Sequence, residues 1–545
     1  MKKIKFLWQK ITVYQKGLLV VFLTWGAYFS FLFPRLLFRS AEGIWAGAIN
    51  VWGDWPAHFA LAMPFAYGKM SDWLTYHPLL LDHKLTYPFL VDAFSGLLIR
   101  FGLEETTAFW LPSLFLVLFL LGVLYKFVFP YCRSIGRSFL VITIFLASGG
   151  LGFIFFLQDF GENYRAIFFP PREYTHWEEK GIYWINTVNA ELIPQRAFPL
   201  GMGLALLLIA QWVSWLKGHF RLVKNSQLLL SGLIAGLMPL AHTHSFLVLL
   251  FAGIFFLIWD WSHWKKWFLI ALGAGLAFSP IFFFFYFGQI SVKFFSWQPG
   301  WLANKPPFWF NWLYFWLLNW GIFLPLTLFA AWKTRFYRQP IFGLGLFLFF
   351  LSNLFLFQPW DWDNSKILTF AYFFLALPIG IYLGQLLEGN FWQGILALVI
   401  LEVLIFSGTL DLYRGIQTEK QKNLLWSNEE IALAEKFREF SWPGALVLTS
   451  DQHNNIIRSL TGAKTLMAYR GWLWSYGFNY AKVEKDIQTM YAGGEEGRNL
   501  LKKYGVDFVF IGPIEREYWQ AQEDFFQTNY SKILDRSGYK IFQID

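Results

Sequence analysis

From Lys16 to Leu410 the chain is a succession of apolar runs, each near the ~20 residues that an α-helix needs to cross a bilayer. In lipid such runs must be helices, because backbone N–H and C=O groups find no water there. That pattern excludes an ordinary soluble domain. The composition agrees, with 56% hydrophobic and only 15% charged residues. The first run is too long, and too well continued by others, to read as a cleaved signal peptide. The formal charge of +9 does not point to nucleic acid. Lys and Arg gather in the short loops between runs, which is the positive-inside pattern of a multi-pass membrane protein. The single cysteine, Cys132, excludes an internal disulfide and reads as an inert thiol in a basic cytoplasmic loop.

Counting runs gives about eleven crossings, with the basic start MKKIKFLWQK inside. The first helix is expected over about Gly17–Phe38, the second over Thr107–Val128, the third over Ser138–Leu157 and the fourth over Ala197–Leu216. The run after Gln227 is too long for one crossing and is broken by Pro239 and the polar AHTHS; it reads as a short helix out and a second one back. Five more spans end with Ile367–Leu387 and Phe391–Leu410. Two long polar-aromatic loops, Arg39–Glu105 and Gln158–Gln195, fall outside. Within the first, LTYPFLVDAFSGLLIRFGL is apolar but interrupted by Pro88, Asp92 and Arg100, and reads as a helix lying at the membrane surface with its polar residues wet.

The sequence therefore divides into a transmembrane part, residues 1–410, and a charged tail, residues 411–545. GALVLTS and DFVFIGP read as buried strands. YAKVEKDIQTMY and EEGRNLLKKYG read as amphipathic helices, the second closed by Gly505. KILDRSGYKIFQI reads as two strands about a Ser-Gly turn. The tail is expected to be a small extracytoplasmic α/β domain. No repeat and no low-complexity linker is visible.

Polar groups at the membrane boundary collect on the outer side. In NVWGDWPAHFALAM, Asp54 stands two residues before Pro56 and four before His58. An acid there is a helix cap. A carboxylate near a sugar acceptor also takes the proton from an attacking hydroxyl or amine. Lys84, with His83 before it, precedes the surface helix; it reads either as a lysine binding anionic lipid or as a clamp for a donor phosphate. Arg196, at the outer end of the fourth helix, reads as a snorkelling side chain or as a fork-shaped phosphate donor. His242 and His244 sit at the break between two short helices, where ionisable groups mark function. With no third ligand evident they read as pocket lining before they read as a zinc site. The acids of PWDWDN, Asp361 and Asp363, are ordinary turn residues or oxygen ligands for a divalent cation.

The order of a first helix, an acid opening the first outer loop, then HKLTYPFL, a surface helix, FGLEETTAF and WLPSLFLVLFLLGVLYKF resembles the GT-C superfamily of membrane glycosyltransferases. The likeness is greatest to its protein mannosyltransferase and aminoarabinose transferase branch, and it runs over about Leu18–Tyr125. Such a resemblance implies transfer of a sugar from a polyprenyl-phosphate donor to a glycan, lipid or protein acceptor on the outer face. Asp54 matches the family's first-loop acid and Lys84 its phosphate-facing lysine. The chain departs from the pattern in having Trp55 where many relatives carry a second acid. It also keeps a single proline, Pro88, where they have two. Two other readings fit the same outer cations and aromatic loops. One is a flippase for lipid-linked saccharides, which should show an internal repeat; the other is a glycan-binding scaffold without turnover.

Overall fold

The computed structural model describes residues 11–219, 222–288, 294–303 and 306–544. The basic start of the chain lies outside the described residues. Thr12 opens the first helix with a capping box. Its hydroxyl accepts the Gln15 N–H, and the Gln15 side chain accepts the Thr12 N–H. Val13–Leu36 then runs for 24 residues.

Among the described residues six helices are long and apolar enough to span a membrane: Val13–Leu36, Glu105–Cys132, Ala197–Gly218, Trp261–Tyr286, Asp361–Leu387 and Phe391–Gly415. A seventh span is made if the pair Phe308–Trp320 and Phe323–Lys333, bent by 80°, is taken as one. The bend falls at Gly321, which has φ 58°. Four further apolar helices, Ile135–Leu146, Asn225–Ala241, Thr243–Trp259 and Pro340–Leu354, are shorter than a bilayer-spanning length. Among the described residues six or seven of the expected eleven spans therefore reach full length.

One expected helix is interrupted, and the break expected in the run after Gln227 is present. The third stops at Leu146 and resumes at Phe153. Between them a Cβ on Gly150 would lie 2.2 Å from the Leu318 carbonyl oxygen and 2.4 Å from that of Asn319. The backbone there is pressed against another chain segment instead of continuing its helix. The long run after Gln227 breaks at His242, whose extended backbone (φ −163°, ψ 113°) separates two helices. Pro239 lies inside the first of them. His242 also caps the second helix, its ring accepting the Ser245 N–H.

The chain folds into two compact units. The first comprises Met1–Phe33, Ser113–Pro280 and Phe295–Thr418. Its central helix, Asp361–Leu387, is buried almost throughout and packs against Ile135–Leu146 and Pro340–Leu354. Its second outer loop is held by three buried side chains. Asn319 accepts the N–H groups of Tyr183 and Trp184 and donates to the Gly181 carbonyl. Asn186 donates to the carbonyls of Leu146 and Ser148. Asp411 accepts from Tyr174 N–H, Thr175 N–H and the Thr175 hydroxyl at 2.6–2.8 Å.

The second unit comprises Pro34–Pro112, Ile281–Phe294 and Glu419–Asp545. The first outer loop and the tail are knitted together in it. Strands β1 (Leu37–Arg39) and β2 (Gly43–Ala46) pair antiparallel, and β2 pairs with β5 (Asn423–Ser427). Two short strands of the first unit, β3 (Ser296–Trp297) and β4 (Phe355–Leu356), pair with each other. The tail sheet contains β6 (Leu446–Leu448), β7 (Lys464–Thr465), β8 (Phe508–Ile511), β9 (Ser531–Arg536) and β10 (Tyr539–Gln543), in the order β7-β6-β8-β10-β9. Strands β7, β6 and β8 are parallel; β10 is antiparallel to both its neighbours. The Ser-Gly turn between β9 and β10 has positive φ at both residues, the conformation of a tight hairpin. The amphipathic helices lie at Ala481–Ala492 and Gly494–Tyr504, the second ending on left-handed Gly505. One apolar core unites Leu79, Leu80, Leu448, Leu466, Met467, Ile487, Val509 and Phe542, so loop and tail share a single hydrophobic interior.

Candidate active site

Asp54 occupies the N-cap position of the helix Trp55–Ala66, with Pro56 in its first turn. Its carboxylate does not cap that helix. The capping role expected from the sequence is therefore not how this side chain is used. Trp55 anchors the helix start, its indole donating to the Leu36 carbonyl at 3.1 Å. The residue before Asp54 is held by the tail. The His453 ring donates from Nε2 to the Gly53 carbonyl at 2.8 Å and stacks on Trp52 at 4.7 Å between centroids. Burial holds His453 below its ordinary pKa, against the opposing pull of that hydrogen bond.

His58 lies one turn further on and is buried, 4% exposed. Its Nδ1 stands 3.0 and 3.1 Å from the two carboxylate oxygens of Asp92. Asp92 belongs to the helix Leu90–Arg100, the segment expected to lie on the membrane with its polar residues wet. The helix is present and Arg100 at its end is exposed as expected, but Asp92 and Ser95 are not wet. Asp92 is 2% exposed and Ser95 is buried, whereas Leu90, Phe94 and Phe101 face outward, Phe101 at 85% exposure. An apolar outer face suits a helix whose surroundings are lipid, and the polar residues then turn inward.

Lys84 carries its ammonium 4.4 Å from the centre of the Phe284 ring, a cation–π contact. The neighbouring ring, Phe285, meets Phe89 at 5.9 Å, next to the start of the Leu90–Arg100 helix. His83 hydrogen-bonds through Nδ1 to the Leu81 carbonyl and meets the Phe478 ring edge-on. His77 packs on the other side of the same loop; its Nδ1 accepts the Leu79 N–H at 3.1 Å. Burial pushes its pKa down to about 3, with the nearby His83 adding to the effect. The folded unit therefore binds this proton less readily than the unfolded chain does. The stability from a neutral His77 is present above about pH 6.5 and is lost as pH falls toward 3. At pH 5 the loss relative to pH 8 is expected to be about 2 kcal/mol, at ~1.4 kcal/mol per unit. Thermal unfolding of wild type and His77→Gln at the two pH values checks this, the variant showing the smaller gap.

Asp54, His58, His83 and Lys84 all belong to the unit that contains the tail, and Arg196, His242 and His244 to the other. Arg196 is 1% exposed and donates from Nε to the Ser113 hydroxyl at 3.0 Å, so it does not snorkel. His242 is buried. Its Nδ1 bonds the Ser245 hydroxyl at 2.9 Å, and its ring meets those of Phe198 (5.3 Å) and His244 (5.6 Å). Lys366 pairs with Asp363 at 2.9 Å, both largely buried. Among the described residues no group of three or more His, Cys, Asp or Glu side chains is placed to hold a metal.

Sequence reasoning missed Asp92, His453 and Asp411. Each is paired with a residue far off in the chain, and in no case does local spacing signal the pairing.

No family model matches the sequence, and no curated protein matches it. Solved structures do. The apo oligosaccharyltransferase of Archaeoglobus fulgidus superposes with a TM-score of 0.53 at 10% identity, over 96% of this chain and 73% of that one. The chain shares its fold with that archaeal oligosaccharyltransferase. The same archaeal enzyme, AglB, in complex with an inhibitory peptide and a dolichol-phosphate, gives a TM-score of 0.42 at 11% identity, over 98% of this chain and 74% of that one. In this chain the shared fold consists of a helical body, with six or seven candidate membrane helices among the described residues, and a C-terminal sheet domain.

Proposed function

We propose that this protein transfers a sugar from a polyprenyl-phosphate-linked donor to a glycan, lipid or protein acceptor at the outer face of the membrane. The observation that carries the reading is Asp54, an acid at the start of the helix Trp55–Ala66 in the first loop of a chain that shares its fold with a membrane oligosaccharyltransferase. In this mechanism Asp54 takes the proton from the acceptor hydroxyl or amine. The acceptor forms a bond to the anomeric carbon, the bond from that carbon to the phosphate oxygen breaks, and the electron pair leaves on the phosphate. Lys84 meets the phosphate charge, which needs only a fixed cation and no nucleophilic side chain. His83 serves beside Lys84 as a further donor-binding residue. The short and bent apolar helices complete an eleven-crossing topology, with the start of the chain cytoplasmic and the tail extracytoplasmic. A divalent cation is compatible with this chemistry and is not required by it.

The test uses full-length protein in lipid nanodiscs and, as donor, the pooled polyprenyl-linked saccharides extracted from the source membranes. Asp54→Asn is expected to lower turnover at least about 100-fold, the usual worth of a general base. Lys84→Gln is expected to raise KM for the lipid more than it lowers kcat. An Asp54→Asn protein that releases polyprenyl phosphate at the wild-type rate overturns the assignment.

A further inference from the structure

We propose that Asp92 is a positioning residue for His58, and that the pair takes over the proton that Asp54 removes from the acceptor. The inference rests on the role given to Asp54 above and adds a second stage to it.

The geometry begins with the helix Leu90–Arg100. A helix that shows Leu90, Phe94 and Phe101 to its surroundings has no need of an acid on its inner face. An apolar side chain at position 92 would fill that space without the desolvation that a buried carboxylate suffers. The acid is nevertheless there, 2% exposed, and its two oxygens converge on one nitrogen, His58 Nδ1. A carboxylate only accepts hydrogen bonds, so Nδ1 must carry the hydrogen. In the neutral ring this fixes Nε2 as the basic nitrogen.

The second element is the helix that carries His58. Asp54 has right-handed helical backbone angles (φ −94°, ψ −34°), and its carbonyl accepts the His58 N–H at 3.1 Å. Residues four apart on such a turn share one face, with Cβ atoms about 5–6 Å apart. Asp54 and His58 therefore share one face of that turn, and the Asp92 carboxylate at Nδ1 dictates the tautomer of the ring. Packing fixes the arrangement. The Trp55–Ala66 helix is buried along its whole length, and Gly96, one turn beyond Asp92, brings the two helices into backbone contact.

The proton balance is simple. The acceptor proton goes to the Asp54 carboxylate as the sugar bond forms and the phosphate leaves. The Asp54 carboxyl then passes it to His58 Nε2. The resulting imidazolium is balanced by the Asp92 carboxylate at Nδ1–H, and the proton is released to water before the next turnover. No oxidant, metal or covalent intermediate enters.

Two readouts separate this role from that of a buried pair which merely holds two helices together. The first is the ring itself. In full-length protein labelled with 15N-histidine, with His58→Gln to assign the signals, His58 is expected as the Nδ1–H tautomer in wild type. In Asp92→Asn, which can offer an N–H to the ring, it is expected to lose that preference. The second is turnover with the pooled polyprenyl-linked saccharides. Asp92→Asn is expected to lower kcat about 100-fold with KM for the lipid unchanged and thermal stability near wild type, while Asp92→Glu recovers part of the rate. An Asp92→Asn protein with wild-type kcat, or one whose activity falls only with its folded fraction, overturns the proposal. Should that variant not fold, an Nε2–H tautomer in wild type overturns it equally, and an Nδ1–H tautomer with an impaired but folded His58→Gln supports it. An inactive Asp54→Asn beside a fully active Asp92→Asn removes the positioning role alone. A fully active Asp54→Asn removes the transfer mechanism itself.

Discussion

Arg458→Met is expected to unfold the tail sheet, with a loss of roughly 3–5 kcal/mol. Arg458 is 2% exposed. Its Nε donates to the Thr465 hydroxyl at 3.2 Å and Nη1 to the Gln452 carbonyl at 3.2 Å, while Nη2 donates to the carbonyls of Ser450 (3.0 Å) and Met467 (2.8 Å). The guanidinium thus ties the segment after β6 to β7 and the segment that follows it. Burial lowers its pKa to about 10, with Tyr76, Asp451 and Glu515 pulling the other way, so the group stays charged at neutral pH. Methionine fills much of the same volume but donates nothing, and four acceptors, three of them buried, lose the guanidinium as a donor. A domain of this size has about 5–15 kcal/mol in reserve, so the change consumes much of it. Arg458→Lys is expected to rescue little, because an ammonium on a single stem cannot reach acceptors spread around a planar fork. Limited proteolysis and thermal unfolding of the full-length protein in nanodiscs check both. A loss under about 1 kcal/mol for the methionine variant would show that the network is dispensable.

Gly96→Val is expected to cost about 3 kcal/mol and to disrupt the His58–Asp92 pair. A Cβ at Gly96 would stand 2.2 Å from the Ala62 carbonyl oxygen and 2.8 Å from the Phe65 Cβ. These atoms belong to the neighbouring helix, and one is backbone, so no rotamer relieves the clash. The two helices must move apart. Arg100, whose Nη1 donates to the Phe65 carbonyl at 3.2 Å, then loses its acceptor as well. The variant should show a lower unfolding temperature together with a His58 ring signal that no longer reports a fixed Nδ1–H. Gly53→Ala, where a Cβ meets nothing within 4 Å, is the matching control.

Sequence patterns read the local elements well where one periodicity governed them. The strands around Val447 and Val509, the helices ending at Ala492 and Tyr504, and the β9–β10 hairpin all appear where alternation, amphipathicity and glycine placed them. Among the described residues, apolar composition located all six helices long enough to span a membrane. Pro239 and the polar AHTHS located the break at His242, but not its geometry, and nothing local located the break at Ala147–Gly152. The first depends on a ring that caps the next helix, the second on a neighbouring backbone pressing on Gly150. Asp92 was misread for a related reason. In water an acid on an amphipathic helix turns outward, but this helix presents its apolar side outward, and its partner His58 lies 34 residues earlier. Asp411, at the end of an apolar run, read as the first residue of the tail. In the fold it is the last-turn acceptor that holds a loop 236 residues away.

The sequence by itself determined that this chain is a helical membrane protein with a mixed α/β tail, and it singled out Asp54 as an acid with an unusual address. Hydropathy and short periods decide such matters, because each residue's preference for lipid, water or a strand face acts within a few positions. The tertiary structure alone decided that β5 of the tail completes the sheet begun by the first outer loop, that His453 holds the turn before Asp54, and that Asp92 rather than water receives His58. Those are pairings of polar groups buried together from distant segments. Burial makes each one necessary, and only the folded chain determines which partner satisfies it.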